Sequence, residues 1–120
     1  MIELFDFLQN NLGPNGWVKP EDAKPWYRDW LNLYGEKPLA VARPKTTDQV
    51  SRVLEFCHKK AIPVVPQGGN TGLVGAGVLG SPEGVLLELG RMNEVSFPDK
   101  ESVFIEVEAG VILEHLHMHL

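Results

Sequence analysis

Cysteine is nearly absent: Cys57 is the single thiol in 120 residues. No disulfide can close within the chain, which suits a reducing compartment. Aromatics are sparse at 8%, and charged residues make up 22%, the share of an average soluble chain rather than a disordered one. Basic residues number 11 against 16 acidic, for a net charge of −5, so nucleic acid is a poor partner. No lysine lies between Lys60 and Lys100, which argues against a Walker loop ending in Gly-Lys-Ser/Thr. No apolar run reaches the length of a membrane span. Met1–Leu12 carries Glu3 and Asp6 in place of a basic start, so a secretory signal is not expected and a cytoplasmic location is. There is no internal repeat. The length fits one small domain or a piece of a larger protein.

Glycine, by contrast, is concentrated. The stretch VVPQGGNTGLVGAGVLG, residues 64–80, places glycines at 68, 69, 72, 75, 77 and 80. Val64 and Val65 read as the end of a buried strand. The loop beyond suits a backbone that turns through φ > 0 several times and approaches a ligand closely. A run of bare N–H groups forms a nest for anions, phosphates above all, and Asn70 and Thr71 add short polar side chains. Leu73, Val74, Val78 and Leu79 are apolar anchors that a flexible linker would lack.

Before this stretch, Ile2, Phe5, Leu8 and Leu12 recur at helical spacing, and Gly13-Pro14 and Asn15-Gly16 stop the helix. Pro25 can open a second helix, Trp26 to Tyr34, capped by Gly35, with Trp26, Trp30 and Leu33 on one face packing an N-terminal arm onto the body. Residues 39–42 read as a strand closed by Pro44. Thr46 and Gln49 have capping-box spacing. Val50, Val53, Leu54, Cys57 and Ala61 then mark an amphipathic helix over 47–60, with Cys57 a buried small hydrophobe and Lys59 and Lys60 at its negative end. Strand, helix, strand is a βαβ unit, so residues 39–42 and 64–66 should run parallel. The glycine loop leaves the carboxyl end of the second strand, where ligands bind in open α/β sheets.

Residues 85–89 read as a third strand. Residues 94–97 and 102–107 follow as a hairpin whose alternation, Val103, Ile105, Val107 against Phe104, Glu106, Glu108, suits a half-exposed antiparallel strand. Residues 111–120 read as a helix with Ile112, Leu113, Leu116 and Leu120 on one side. No cap follows Leu120 and a two-stranded ribbon is marginal alone, so the chain is expected to be an N-terminal fragment.

Other motifs weigh less. Gly75-Ala-Gly-Val-Leu-Gly80 spells G-x-G-x-x-G, but the strand before it and the helix after it that a Rossmann site requires are missing. His115, His117 and His119 fit a solvated run better than a metal site. Glu106 and Glu108 fit a solvent face better than paired-carboxylate catalysis. No metal ligand and no catalytic residue is assigned.

Several segments together resemble the FAD-linked oxidases of the vanillyl-alcohol-oxidase/PCMH type, and within them the D-2-hydroxyglutarate and D-lactate dehydrogenase branch. They are Tyr27, Asp29 and Trp30; Ala40-Val-Ala-Arg-Pro44; the central Pro66-Gln-Gly-Gly-Asn-Thr-Gly-Leu-Val-Gly75; Arg91-Met-Asn93; and Val107-Glu-Ala-Gly-Val111. The resemblance implies an α+β fold: a PCMH-type FAD-binding domain whose first subdomain is a small, mainly parallel sheet with helices, followed by the start of an antiparallel second subdomain. The division would be an arm over 1–38, the first subdomain over 39–93 and the opening of the second over 94–120. The resemblance makes FAD the cofactor, held at its pyrophosphate by Pro66, Gln67, Gly68, Gly69, Asn70, Thr71, Gly72, Leu73 and Gly75. The substrate would be a small D-2-hydroxy acid, with the electron acceptor open and a homo-oligomer allowed. Two alternatives remain at this point: a nucleotide-binding module without redox chemistry, and an interaction domain whose glycine loop is only conformational.

Overall fold

A computed structural model describes residues 2–72, 75–96, 101 and 104–118. Helix α1, Ile2–Leu12, opens the chain. Its buried face is Leu4, Leu8 and Leu12; Ile2, expected on that face, is 77% exposed. Gly13 ends the helix at φ 77°. A short strand β1, Trp17–Val18, follows, which the sequence reading had not marked. Two residues are too few to show alternation.

The expected helix from Trp26 to Tyr34 is replaced by a single turn, α2, Lys24–Tyr27. Asp29 stops it. Its Oδ1 accepts from the N–H groups of Leu33 and Tyr34 at 2.7 and 3.1 Å, and its own N–H donates to the Tyr34 carbonyl. Such local side-chain bonds compete directly with a helix ladder. Asn32 sits at φ 57°. The shared aromatic face therefore does not form: Trp30 is 70% and Leu33 63% exposed, and only Trp26 packs inward.

Strand β2 is Ala40–Ala42, helix α3 is Thr47–Lys59, strand β3 is Val64–Gln67 and strand β4 is Val85–Glu88. They form one sheet in the order β1-β2-β4-β3. β2 and β3 both pair parallel to β4, and β1 pairs antiparallel to β2. The two strands of the expected βαβ unit share a sheet and a direction, with β4 inserted between them. Period-two alternation gives the sheet two buried faces. Ala40, Ala42, Val85 and Leu87 face a cluster with Leu4, Leu8 and Leu12 of α1 and Val53 and Cys57 of α3. Val41 and Leu86 face the other way, onto Ala23 and Leu79. The second half of the glycine stretch thus covers the sheet face opposite α1 and α3, anchored by Val78 and Leu79.

Helix α3 is capped at both ends. Thr46 Oγ1 accepts from the Gln49 N–H, while Gln49 Oε1 reaches past the cap to accept from the Lys45 N–H. At the other end Ala61 takes φ 56°, its N–H donating to the His58 carbonyl and that of Ile62 to the Cys57 carbonyl. This is the Schellman pattern with alanine where glycine is usual.

Strands β5, Val95–Ser96, and β6, Glu106–Val107, form an antiparallel pair, and α4 covers Leu113–Met118. Both residues of β6 are exposed, rather than alternating. Residues 97–100, 102–103 and 119–120 of the expected hairpin and helix lie outside the described residues. Neither buried cluster includes a residue beyond Leu89 among those described.

Candidate functional site

The stretch after β3 splits at the end of the sheet. Pro66 and Gln67 are its last strand residues; Gly68, Gly69, Thr71 and Gly72 lie exposed beyond the strand's carboxyl end. Among the described residues, the N–H groups of Gly68, Gly69, Thr71 and Gly72 donate to no protein acceptor. Positive φ falls on Asn70, at 57°, and Gly75, at 76°. The other described glycines of the stretch do not need it, against the expectation of repeated left-handed turns. What they supply is room. A Cβ at Gly72 would meet nothing within 4 Å, and one at Gly69 would lie 3.2 Å from Ile112 Cδ1. Gly68 faces the Ala109 carbonyl. Leu73 lies outside the described residues.

The two carboxamides of the stretch are turned inward. Gln67 is buried, and its Nε2 donates to the carbonyls of Trp26 at 2.7 Å and Gly77 at 2.9 Å. Asn70 Nδ2 donates to the Arg28 carbonyl at 2.6 Å. Neither role was visible in the sequence, because all three partners are backbone carbonyls and two of them lie about forty residues upstream.

Across from the loop, residues 109–112 approach the end of β4. Gly110 N–H donates to the Met92 carbonyl, and a Cβ there would strike the Leu89 carbonyl. Only glycine allows that approach. Beside it, Gly90, Asn93, Val95, Gly110, Val111, Ile112, His115 and Leu116 line a cavity of about 550 Å³.

The strand ends are tied by a half-buried ion pair that sequence reasoning missed. Arg43 Nε donates to Glu88 Oε2 at 2.7 Å, and Gly90 N–H donates to Oε1. The Arg43 guanidinium lies 5.3 Å from the centroid of the Trp26 ring, and Arg91 donates to the Arg43 carbonyl. These cations are occupied in bracing the fold.

The model of the FAD-binding domain family matches residues 38–120. The chain belongs to this family. FAD-binding domains of this kind carry FAD, and the match favours it over a nucleotide-binding module without redox chemistry. A Schizosaccharomyces pombe protein provisionally named a mitochondrial D-lactate dehydrogenase is 46% identical over 96 residues, 80% of this chain and 18% of that protein. The mitochondrial D-2-hydroxyglutarate dehydrogenase of Arabidopsis thaliana is 43% identical over 88 residues, 73% of this chain and 16% of that protein. The chain thus spans under a fifth of the length of these relatives. A crystal structure of p-cresol methylhydroxylase with substrate bound superposes with a TM-score of 0.81 at 23% identity, over 98% of this chain and 24% of that one. It shares the fold: a PCMH-type arrangement of a mainly parallel sheet followed by an antiparallel pair.

The residues present fit FAD. Exposed, unbonded amides at Gly68, Gly69, Thr71 and Gly72 match a pyrophosphate's oxygen acceptors. The open volume at Gly72 and the narrow gap between Gly69 and Ile112 are space that a side chain would fill. No helix among the described residues is long and apolar enough to cross a membrane.

Proposed function

We propose that this chain is the pyrophosphate-binding part of a flavin enzyme that oxidises a small D-2-hydroxy acid, D-2-hydroxyglutarate or D-lactate, to the 2-oxo acid. The carrying observation is the glycine loop at the carboxyl end of β3, with four exposed N–H groups lacking a protein acceptor. The backbone of Gly68, Gly69, Thr71, Gly72, Leu73 and Gly75 meets the phosphates, with the Thr71 hydroxyl adding a bond, while Pro66, Gln67 and Asn70 set the loop's shape. Bound flavin supplies the two-electron oxidising chemistry; these residues bind and orient it. The substrate reading rests on the relatives' names.

The three-part division, arm 1–38, first subdomain 39–93 and opening of the second 94–120, belongs to the same proposal. The boundary near 93 is supported by the absence of described residues past Leu89 from either core cluster, whereas α1 and β1 pack into the same core and sheet as the first subdomain. The cytoplasmic location expected from the sequence competes with the mitochondrial one in the names of both relatives, and cell fractionation separates them.

The test is the full-length protein, purified and assayed with D-2-hydroxyglutarate, D-lactate and their L-enantiomers against an artificial electron acceptor. A flavin absorption spectrum bleached by one D-acid is the expected result. A colourless protein that binds no added FAD removes the cofactor reading; a yellow protein that no 2-hydroxy acid bleaches removes the substrate reading alone.

A further inference from the structure

The turn over residues 28–35 makes more bonds to itself and to the glycine loop than an arm lying on the surface needs. Arg28 spreads all its guanidinium nitrogens over it: Nε donates to Asn32 Oδ1 at 2.8 Å, Nη1 to the Gly35 carbonyl at 2.9 Å and Nη2 to the Asn32 carbonyl at 2.6 Å. Asp29 closes the inner side through Leu33 and Tyr34 and is only 7% exposed. Gly35, at φ 121°, packs against the Tyr27 carbonyl where a Cβ would collide. The turn is thereby held in one shape although its tip is at the surface.

The turn and the chain just beside it, residues 26–36, meet the glycine stretch at four places. Asn70 Nδ2 donates to the Arg28 carbonyl, and Gln67 Nε2 to the Trp26 carbonyl. The Tyr34 ring lies against Gly75, where a Cβ would be 3.1 Å from Cγ. Glu36 N–H donates to the Leu79 carbonyl. Both bonded carboxamides, Gln67 and Asn70, flank Gly68 and Gly69, and Asn70 also carries the loop's strained backbone angle. A left-handed non-glycine residue persists where its surroundings hold it, and here the Arg28 carbonyl is what holds it.

We infer that the 28–35 turn is the rear support of the cofactor loop, and that Asn70 acts as a positioning residue, latching the loop to this turn rather than contacting the phosphates. The inference rests on the reading of the loop as the FAD pyrophosphate site. A loop already held in shape loses less freedom when FAD binds, so the latch acts on cofactor affinity.

The test uses the full-length protein stripped of flavin, with FAD itself as probe. Its dissociation constant is read by flavin fluorescence and the apoprotein's unfolding midpoint in parallel. Asn70→Gly keeps the left-handed angle and removes the latch; Asn70→Asp keeps angle and size but presents an acceptor to a carbonyl. Asp29→Ala loosens the turn from a position away from the loop. Each should raise the FAD dissociation constant by about tenfold, one hydrogen bond's worth, measured well below the unfolding midpoint, where a purely structural role leaves it unmoved. The double variant Asn70→Gly/Asp29→Ala should be no worse than the weaker single, because both break one connection. Should Asp29→Ala not fold, Arg28→Gln, which removes bonds at the exposed side of the turn, carries the same expectation. Turn variants with wild-type affinity, or effects that multiply in the double variant, would overturn the latch and make Asn70 a direct ligand. A wild-type protein that takes up no FAD would instead bring down the cofactor reading itself.

Discussion

At the scale of single residues, glycine 69 and 72 show why composition and geometry must be separated. Their backbone angles are open to any residue, so the left-handed argument does not apply to them. Their value is space. Gly72→Val projects a branched side chain into the volume beside the amides, and Gly69→Val drives one against Ile112. In the full-length protein both should purify with little flavin, whereas Thr71→Ala should weaken FAD by only about 1 kcal/mol for one lost hydrogen bond. The flavin-to-protein ratio of each variant orders them, and full occupancy in the glycine variants would move the phosphates elsewhere. Cys57 offers a second residue-scale test. Burial in the first core pushes its thiol up from 9.0 to about 11. The native state then holds a proton that the unfolded chain releases above its own lower value. The Cys57 contribution to stability is therefore constant below pH 9 and is lost between pH 9 and 11, by on the order of 2 kcal/mol. Denaturant titrations across that range should show the decline, and Cys57→Ala should remove this component of it. A thiol reagent at pH 8 should label native protein far more slowly than unfolded.

At the scale of elements, α3 was legible almost in full, because its apolar spacing, its Thr46 cap and its packed face agree save at Leu54, expected on that face but 44% exposed. Thr46→Ala should cost about 1 kcal/mol. Ala61 is the opposite case, a residue the apolar spacing puts on the helix face but which the structure sets at φ 56° beyond the helix end, exposed. Its spacing was a coincidence of period, overridden by the Schellman turn that Pro63 makes necessary. Ala61→Gly should raise stability by roughly 0.5 kcal/mol, relief of left-handed strain slightly exceeding the added freedom of the unfolded chain. Paired thermal melts decide it, and a lowered midpoint would mean that the alanine is not strained. The segment from Arg28 to Tyr34 failed for a different reason. Helical spacing of Trp26, Trp30 and Leu33 is a weak signal over nine residues, and a single Asp able to bond two backbone amides outweighs it.

At the scale of the molecule, the loop offers amides without a protein acceptor, but the chain spans a fifth or less of the length of the relatives it matches. FAD is a large, flexible ligand, and immobilising it must be offset by burial that one loop cannot supply. Residues 1–120 alone should bind FAD at least about a hundredfold more weakly than the full-length protein, and should oxidise no hydroxy acid. Calorimetric titration of both proteins provides the comparison. Micromolar binding by a monomeric 1–120 chain would mean that the site is complete within these residues.

The types of α1, β2, α3, β3 and β4, and the parallel sense of β2 and β3, followed from the sequence alone. They depend on local period, on proline and glycine punctuation and on the βαβ rule, all readable within a dozen residues. The place of the glycine loop, at the carboxyl end of β3, was readable for the same reason. Tertiary structure decided the insertion of β4 between β2 and β3, the joining of Arg43 to Glu88, and the turning of Gln67 and Asn70 away from solvent onto carbonyls of the N-terminal turn. Each is a pairing across about twenty to forty-five residues. A hydrogen bond to a backbone carbonyl leaves no mark on the partner's side chain, so nothing in residues 26 and 28 announces which amide will find them.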